Sequence, residues 1–268
     1  METTRKGLSA AVLKNIAVIT MTIDHVTAFL LKAYLYQQGN LNVYSNDWYV
    51  LGRVIGRIAF VLYAFMIAEG ALKTRNKIKY AGRLLALAVI SVVPYSYVNT
   101  GRVLDFETQN IFFLLFLGLI TLYAWEWLER RIGSKILSMA LRILAAAAAC
   151  AISEVLHFEY GMMGILLILV FYLWRYEFPK LALAGALVMT VGYIAHVLVM
   201  NGAVNWISRH SATLINDLMR TDRIQVFGLL AFPLIFLYNG KKGRQLPKMF
   251  YYLFYPVHLG IIALILYL

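Results

Sequence analysis

Asp24 and His25 stand side by side in an otherwise apolar stretch, with Lys14 eleven residues before His25. Eleven residues at about 100° each return Lys14 and His25 to within about 20° of one helical face, about 16 Å apart along it. Asp24 points about a quarter-turn away, which predicts that it orients another group rather than sharing a ligand with His25. In the next apolar stretch Arg53 and Arg57 stand four residues apart on one face, with Gly56 thinning the helix beside them. A charge at the mid-depth of a bilayer costs about 2.5–3.5 kcal/mol even on a lenient scale, so such groups need partners or water. A buried cation needs a carboxylate, and an Arg57–Asp24 ion pair is the first expectation. Arg53 is expected to snorkel to the outer interface instead. Two readings stand for these groups: a functional centre that handles protons or charge, or a buried polar cluster that staples helices together.

Other ionisable residues extend the pattern. Tyr251, Tyr255 and His258 fall at i, i+4 and i+7 in the last apolar stretch, a single stripe expected to face other helices, with Pro256 freeing a backbone carbonyl within it. Glu69 is placed to pair with Lys73 one turn on. Arg75, Lys77, Lys79 and Arg83 surround that point. They either hold the phosphates of a nucleotide-like cofactor or simply mark a cytoplasmic loop. Glu154 and His157, with Glu159 and Tyr160, form another candidate polar site, which interfacial solvation would also explain. His196 reads as a hydrogen-bonded structural residue, and His210 lies in a polar connection. The single cysteine, Cys150, excludes an intramolecular disulfide and a multi-cysteine zinc site, and no metal is expected.

The elements that must position these residues follow from composition. A chain of 268 residues that is 62% apolar, with a mean hydropathy of +0.71, carries more apolar surface than a soluble domain of this length can bury. Spans of roughly twenty residues are expected at about 9–36, 50–72, 82–98, 109–128, 136–156, 161–176, 181–200, 224–239 and 249–268. The net charge of +12 comes from short basic clusters between these runs, which indicates topology rather than nucleic-acid binding. One set of connections holds fifteen Lys and Arg residues, from Arg5 and Lys6 through Lys241, Lys242, Arg244 and Lys248. The other holds only Arg102, Arg209, Arg220 and Arg223. Positive loops resist translocation, so the amino terminus is expected in the cytoplasm and the carboxyl terminus outside.

Lys14 interrupts the first apolar run, and no small-residue cleavage site follows it, so the run is kept as a span rather than a signal peptide. No connection is long enough for a soluble domain. The longest, Asn201 to Asp222, is expected to be interfacial or re-entrant, a tenth element at most. The fold class predicted is therefore all-α: a polytopic membrane helical bundle of about nine transmembrane helices forming one domain over residues 1–268. Gly52 with Gly56, Gly161 with Gly164, Pro94, Pro233 and Pro256 mark close approaches and kinks.

The runs Lys14-Asn-Ile-Ala, Met21-Thr-Ile-Asp24-His25, Ile55-Gly56-Arg57-Ile58-Ala59-Phe60, Glu69-Gly70 and Thr74-Arg75-Asn76 together resemble the TraX family of membrane acetylases. So do Lys79-Tyr80, Arg83-Leu84, Ile90-Ser91, Pro94, Asn110-Ile111-Phe112-Phe113, Leu117-Gly118, Tyr160-Gly161, Leu237-Tyr238-Asn239-Gly240 and Phe250-Tyr251. The resemblance ends with Phe254-Tyr255-Pro256-Val257-His258-Leu259 and covers nearly the whole chain. It implies the family's named activity, acetylation of the amino terminus of the conjugative F-pilin subunit. It thus implies acetyl-CoA, or another acyl-CoA, as donor and an amine or hydroxyl as acceptor: a peptide, glycan or lipid. It also implies a bacterial inner membrane. The wider transmembrane acyltransferases, which this family resembles, place a basic residue ten positions before a helix-borne histidine. Lys14 and His25 reproduce that spacing, with lysine where many members have arginine, a point charge in place of a bidentate fork.

Acyl transfer from a thioester needs a base or a nucleophile and groups that stabilise the developing oxyanion. His25 is the expected base. Asp24 is expected to orient it or to pair with Arg57, while Arg57, with Tyr255 or His258, stabilises charge or positions the acceptor. Lys14, Arg75, Lys77, Arg83, Lys241 and Lys242 would receive the CoA phosphates, and Tyr255, His258, Glu154 and Tyr160 would line the acceptor site. The competing expectations are a transporter or flippase, in which the same charges line a path for protons or an anionic lipid, and a non-enzymatic assembly protein that uses them for partner binding.

Overall fold

A computed structural model describes residues 7–195 and 223–267. The expectations for Arg5, Lys6, His196, Arg209, His210, Arg220 and the Asn201–Asp222 connection lie outside the described residues. Among the described residues, seven helices are long and apolar enough to cross a membrane: α1 (Ala10–Gln37), α2 (Asp47–Lys73), α3 (Lys77–Thr100), α4 (Ile111–Arg131), α5 (Lys135–Val155), α7 (Phe178–Ala195) and α9 (Met249–Tyr267). Two shorter apolar helices, α6 (Gly161–Leu173) and α8 (Phe227–Phe236), fall where the sixth and eighth spans are expected. At about 1.5 Å per residue, neither short helix covers about 30 Å of hydrocarbon. The architecture is an all-α, polytopic helical bundle.

Local sequence sets the ends of these helices. Ser9 caps α1 by accepting from the Val12 amide, and α2 opens on Asp47 and closes on Lys73, each sign matching the helix dipole. The Asn76 side chain accepts from the Lys79 amide and starts α3. That helix is interrupted between Ile90 and Val92, because the Pro94 ring clashes with the carbonyl four residues back and offers no amide. Asn110 caps α4 through the Phe112 amide while its own amide donates to the Ala88 carbonyl at 2.9 Å, which satisfies a side chain only 1% exposed. Glu154 serves as a cap for α6, accepting from the Met162 amide at 2.6 Å, after Tyr160 turns the chain at φ 67°.

The outward faces carry large apolar side chains in the open, among them Ile19, Val89, Ile143, Leu144, Leu183, Ile261 and Leu264. Hydrocarbon solvates such a surface, and backbone groups along the middle of each helix are bonded within it. The chain folds into two compact units. The first takes 7–63, 93–104 and 223–267 of the described residues, and so contains α1, the first part of α2, α8 and α9. The second takes 64–92 and 105–195 and contains α4 through α7.

In the second unit Gly118 of α4 lies against Ile168 of α6, and Gly70 lies against the Tyr80 ring, so small residues admit close helix approach. In the first unit α1 and α9 run in the same direction. Tyr251 near the start of α9 meets Lys14 and Asn15 near the start of α1, and His258 farther along meets His25.

Candidate functional site

The centre of the first unit is built on α1, α2 and α9. Asp24, 8% exposed, receives Arg57 Nη2 on both carboxylate oxygens, at 2.7 and 2.6 Å, and Arg57 is itself 5% exposed. The expected Arg57–Asp24 pair is present. Arg53 departs from expectation: rather than snorkelling outward, its Nη1 reaches Asp24 Oδ1 at 2.8 Å. The two arginines, one helical turn apart, thus close on one carboxylate. Arg57 is fixed further by its Nε donating to the Arg53 carbonyl and its Nη1 to Gln225 Oε1, both at 3.3 Å.

Two glycines make this approach of α1 and α2 possible. A Cβ at Gly56 would overlap the Asp24 carboxylate, and one at Gly52 would overlap the Thr27 side chain. The spacing of the glycines equals that of the arginines, so one face of α2 carries a groove for α1 and the adjoining face carries its cations. Immediately after His25, α1 loosens into a π-helical segment, Val26–Leu31. Such widened turns frequently mark functional positions, because the extra residue re-aims the side chains around it.

His25 turns toward α9. Its Nδ1 lies 2.6 Å from Nε2 of His258, and the two rings are coplanar within 2°. Their centroids are 4.9 Å apart, nearly twice the nitrogen separation, so the rings meet edge to edge in an in-plane hydrogen bond rather than face to face. His258 Nδ1 lies 2.8 Å from the Phe254 carbonyl one turn back. Tyr255, 3% exposed, presents its ring at 69° to His25 with centroids 5.8 Å apart, and Phe29 flanks the other ring contact at 5.9 Å. Of the two roles left open for Asp24, its position gives pairing with arginine, while the ring nitrogen of His25 is met by His258.

Lys14 lies toward the other end of α1, its ammonium 5.5 Å from the centre of the Tyr251 ring, and the Tyr251 hydroxyl donates to Asn15 Oδ1 at 2.6 Å. The loop before α9 closes this end. The Ala10 and Ala11 amides donate to the carbonyls of Lys241 and Lys242 at 2.9 and 3.0 Å, and Asn239 donates to the Gly7 carbonyl at 2.9 Å. With Val12 bonded to the Ser9 hydroxyl, the first amides of α1 are taken by protein oxygens. An anion at this end would therefore be met by the exposed Lys241 and Lys242 side chains rather than by the helix terminus.

The remaining candidates belong to the second unit. Lys77 pairs with Glu126, which also takes Arg130, and its ammonium lies over the Tyr123 ring. Arg75 and Arg83 are exposed. Lys73 bonds Glu69 at 2.6 Å, as expected. His157 Nδ1 meets the Glu107 carbonyl at 2.9 Å, while Glu154 is engaged at the start of α6. Glu154 and Tyr160 therefore act in a helix start and its entering turn. No cluster of three or more metal-ligating side chains occurs among the described residues.

Arg53, Asn15, Gln225 and the Phe254 carbonyl join the site without having been anticipated. The matching four-residue spacing of Gly52–Gly56 and Arg53–Arg57 is the one signal that could have brought Arg53 inward.

The seven long apolar helices, with ion pairs and histidines held inside them, define a multi-pass membrane protein. The chain belongs to the TraX family, whose family model, described as TraX protein, matches residues 9–266. It is similar to the "Probable fimbrial assembly protein FimC, serogroup H1" of Dichelobacter nodosus, with 28% identity over 265 residues, covering 95% of this chain and 94% of that protein. No solved structure matches it.

Proposed function

We propose that this protein is an integral-membrane acyltransferase of a bacterial inner membrane, moving an acetyl group from cytoplasmic acetyl-CoA to an amine or hydroxyl acceptor. The observation that carries this reading is the His25 ring, held by a second histidine and flanked by a doubly paired carboxylate inside spanning helices. His25 acts as the base that takes the proton from the acceptor, a task suited to imidazole at neutral pH. Asp24 holds Arg53 and Arg57 in place, and these cations supply positive potential where the thioester oxygen gains charge.

The donor enters from the end where Lys14, Lys241 and Lys242 gather, which the positive-inside asymmetry assigns to the cytoplasm. About 16 Å of α1 separate Lys14 from His25, the length the pantetheine arm has to bridge. Arg75, Lys77 and Arg83 are further candidates for the phosphates, Lys77 through a side chain already shared with Glu126. The name of the Dichelobacter nodosus relative makes a pilin-type peptide amino terminus the first acceptor to try, ahead of a glycan or a lipid.

The test is purified protein in lipid nanodiscs incubated with radiolabelled acetyl-CoA and candidate acceptors. Label transferred to an acceptor by the native protein and abolished by His25→Ala supports the reading. Transfer that continues undiminished in His25→Ala removes His25 from the chemistry, and label transferred to nothing by the native protein favours transport or assembly.

A further inference from the structure

The hydrogen-bond chain through α9 fixes which nitrogen of His25 carries its proton. A backbone carbonyl can only accept, so the 2.8 Å contact between His258 Nδ1 and the Phe254 carbonyl requires a proton on His258 Nδ1. In a neutral imidazole the other nitrogen then holds a lone pair. His258 Nε2 is that nitrogen, and it points along the plane shared by both rings at His25 Nδ1, 2.6 Å away. His25 must donate across this contact, so its proton sits on Nδ1 and its lone pair on Nε2. Among the described residues His25 Nε2 has no hydrogen-bond partner.

We propose that His258 is a positioning residue that holds His25 as the Nδ1–H tautomer, so that Nε2 of His25 is the atom that takes the acceptor's proton. This rests on the acyltransferase reading for its consequence, though not for its geometry. When an acceptor N–H or O–H gives its proton to His25 Nε2, that ring becomes an imidazolium. Its Nδ1 proton can then cross to His258 Nε2, leaving His25 neutral with the proton on Nε2 and His258 bearing the charge, still bonded to the Phe254 carbonyl. The reverse transfer restores Nδ1–H on His25, and the Nε2 proton passes to the departing CoA thiolate. Both protons are accounted for, and neither ring rotates. Tyr255, packed edge-on against His25 and only 3% exposed, crowds the ring flip that would carry Nδ1 away from His258.

The experiment is ¹⁵N spectroscopy of histidine-labelled full-length protein in nanodiscs, with His25 and His258 assigned by single substitution. It needs no turnover, so it stands apart from the test of the function. The expected spectrum shows His25 protonated on Nδ1 and unprotonated on Nε2 with no ligand present. His258→Phe removes the acceptor, and the single-tautomer signature of His25 is expected to give way to a mixture. His258→Gln, whose Oε1 falls near the lost Nε2, is expected to restore it. Turnover should fall by ~10²-fold or more in His258→Phe with KM for acetyl-CoA nearly unchanged, and recover in part in His258→Gln. A native spectrum with His25 protonated on Nε2, or an unchanged His25 tautomer in His258→Phe, overturns the proposal. Should His258→Phe fail to fold, the native spectrum decides alone.

Discussion

Gly56 of α2 lies directly against the Asp24 carboxylate of α1, so closely that a single added methyl group would occupy the same space. Backbone contact there is what lets Arg53 and Arg57, on the flanks of that glycine, reach one carboxylate together.

Gly56→Ala is therefore expected to push α1 and α2 apart and destabilise the fold by about 1–3 kcal/mol, the usual range for overpacking a tight contact. Thermal unfolding in detergent should show a clear fall in Tm. Gly82→Ala is the control, because a Cβ there meets nothing within 4 Å. It should leave Tm unchanged or slightly raised, since alanine has the better helix propensity.

Asp24→Asn leaves two cations facing a neutral amide. Breaking a buried pair at one partner typically costs about 3–5 kcal/mol, so this change should be among the most damaging in the first unit. Arg57→Gln removes the cation whose side chain is 5% exposed, whereas Arg53→Gln removes one that is 23% exposed. Greater solvent and headgroup screening makes the Arg53 contact the weaker one. The expected order of Tm loss is Asp24, then Arg57, then Arg53, and an equal loss at both arginines would contradict it.

Tyr251→Phe deletes the hydroxyl that donates to Asn15 but keeps the ring beneath the Lys14 ammonium. The loss should be about 0.5–1.5 kcal/mol, a single net hydrogen bond. In a double-mutant cycle Tyr251→Phe and Asn15→Ala should cost together no more than either alone, as their effects share one contact.

Asn239→Ala removes two contacts at once, the donation to the Gly7 carbonyl and the acceptance from the Lys241 amide, both 2.9 Å. The loop that seats the start of α1 is then expected to open more often while the helical core stays intact. Hydrogen exchange should speed up at Leu8, Ala10 and Ala11, whose amides bond to that loop, with little change at the middle of α4.

Much of this arrangement was legible in residue order because it is periodic. Runs of about twenty apolar residues located every helix from α1 to α9, and a four-residue spacing placed Glu69 against Lys73. The i, i+4, i+7 spacing put Tyr251, Tyr255 and His258 on one stripe, and that stripe faces α1. The expectation that matched Arg57 to Asp24 held because a buried guanidinium and a buried carboxylate each need the other.

Arg53 escaped it, since snorkelling and pairing are equally open to a long side chain until the position of its neighbour is known. The His25–His258 bond escaped for a different reason: the two residues are 233 positions apart, and nothing in a helix period states which distant face will adjoin it. Backbone acceptors such as the Phe254 carbonyl carry no residue-type signal at all. The division into two units was likewise hidden, because stretches far apart in sequence assemble the first of them.

The parallel pairing of α1 with α9 also sets the order in which this centre can come into being. Ribosomal synthesis delivers Asp24 and His25 first, then the arginines of α2 soon after, so the carboxylate finds its cations while most of the protein is still unmade. His258 arrives only with α9. A nascent chain stopped before α9 can thus pair Asp24 with its arginines yet lacks the imidazole that meets His25, so the two-histidine contact waits on synthesis of that helix.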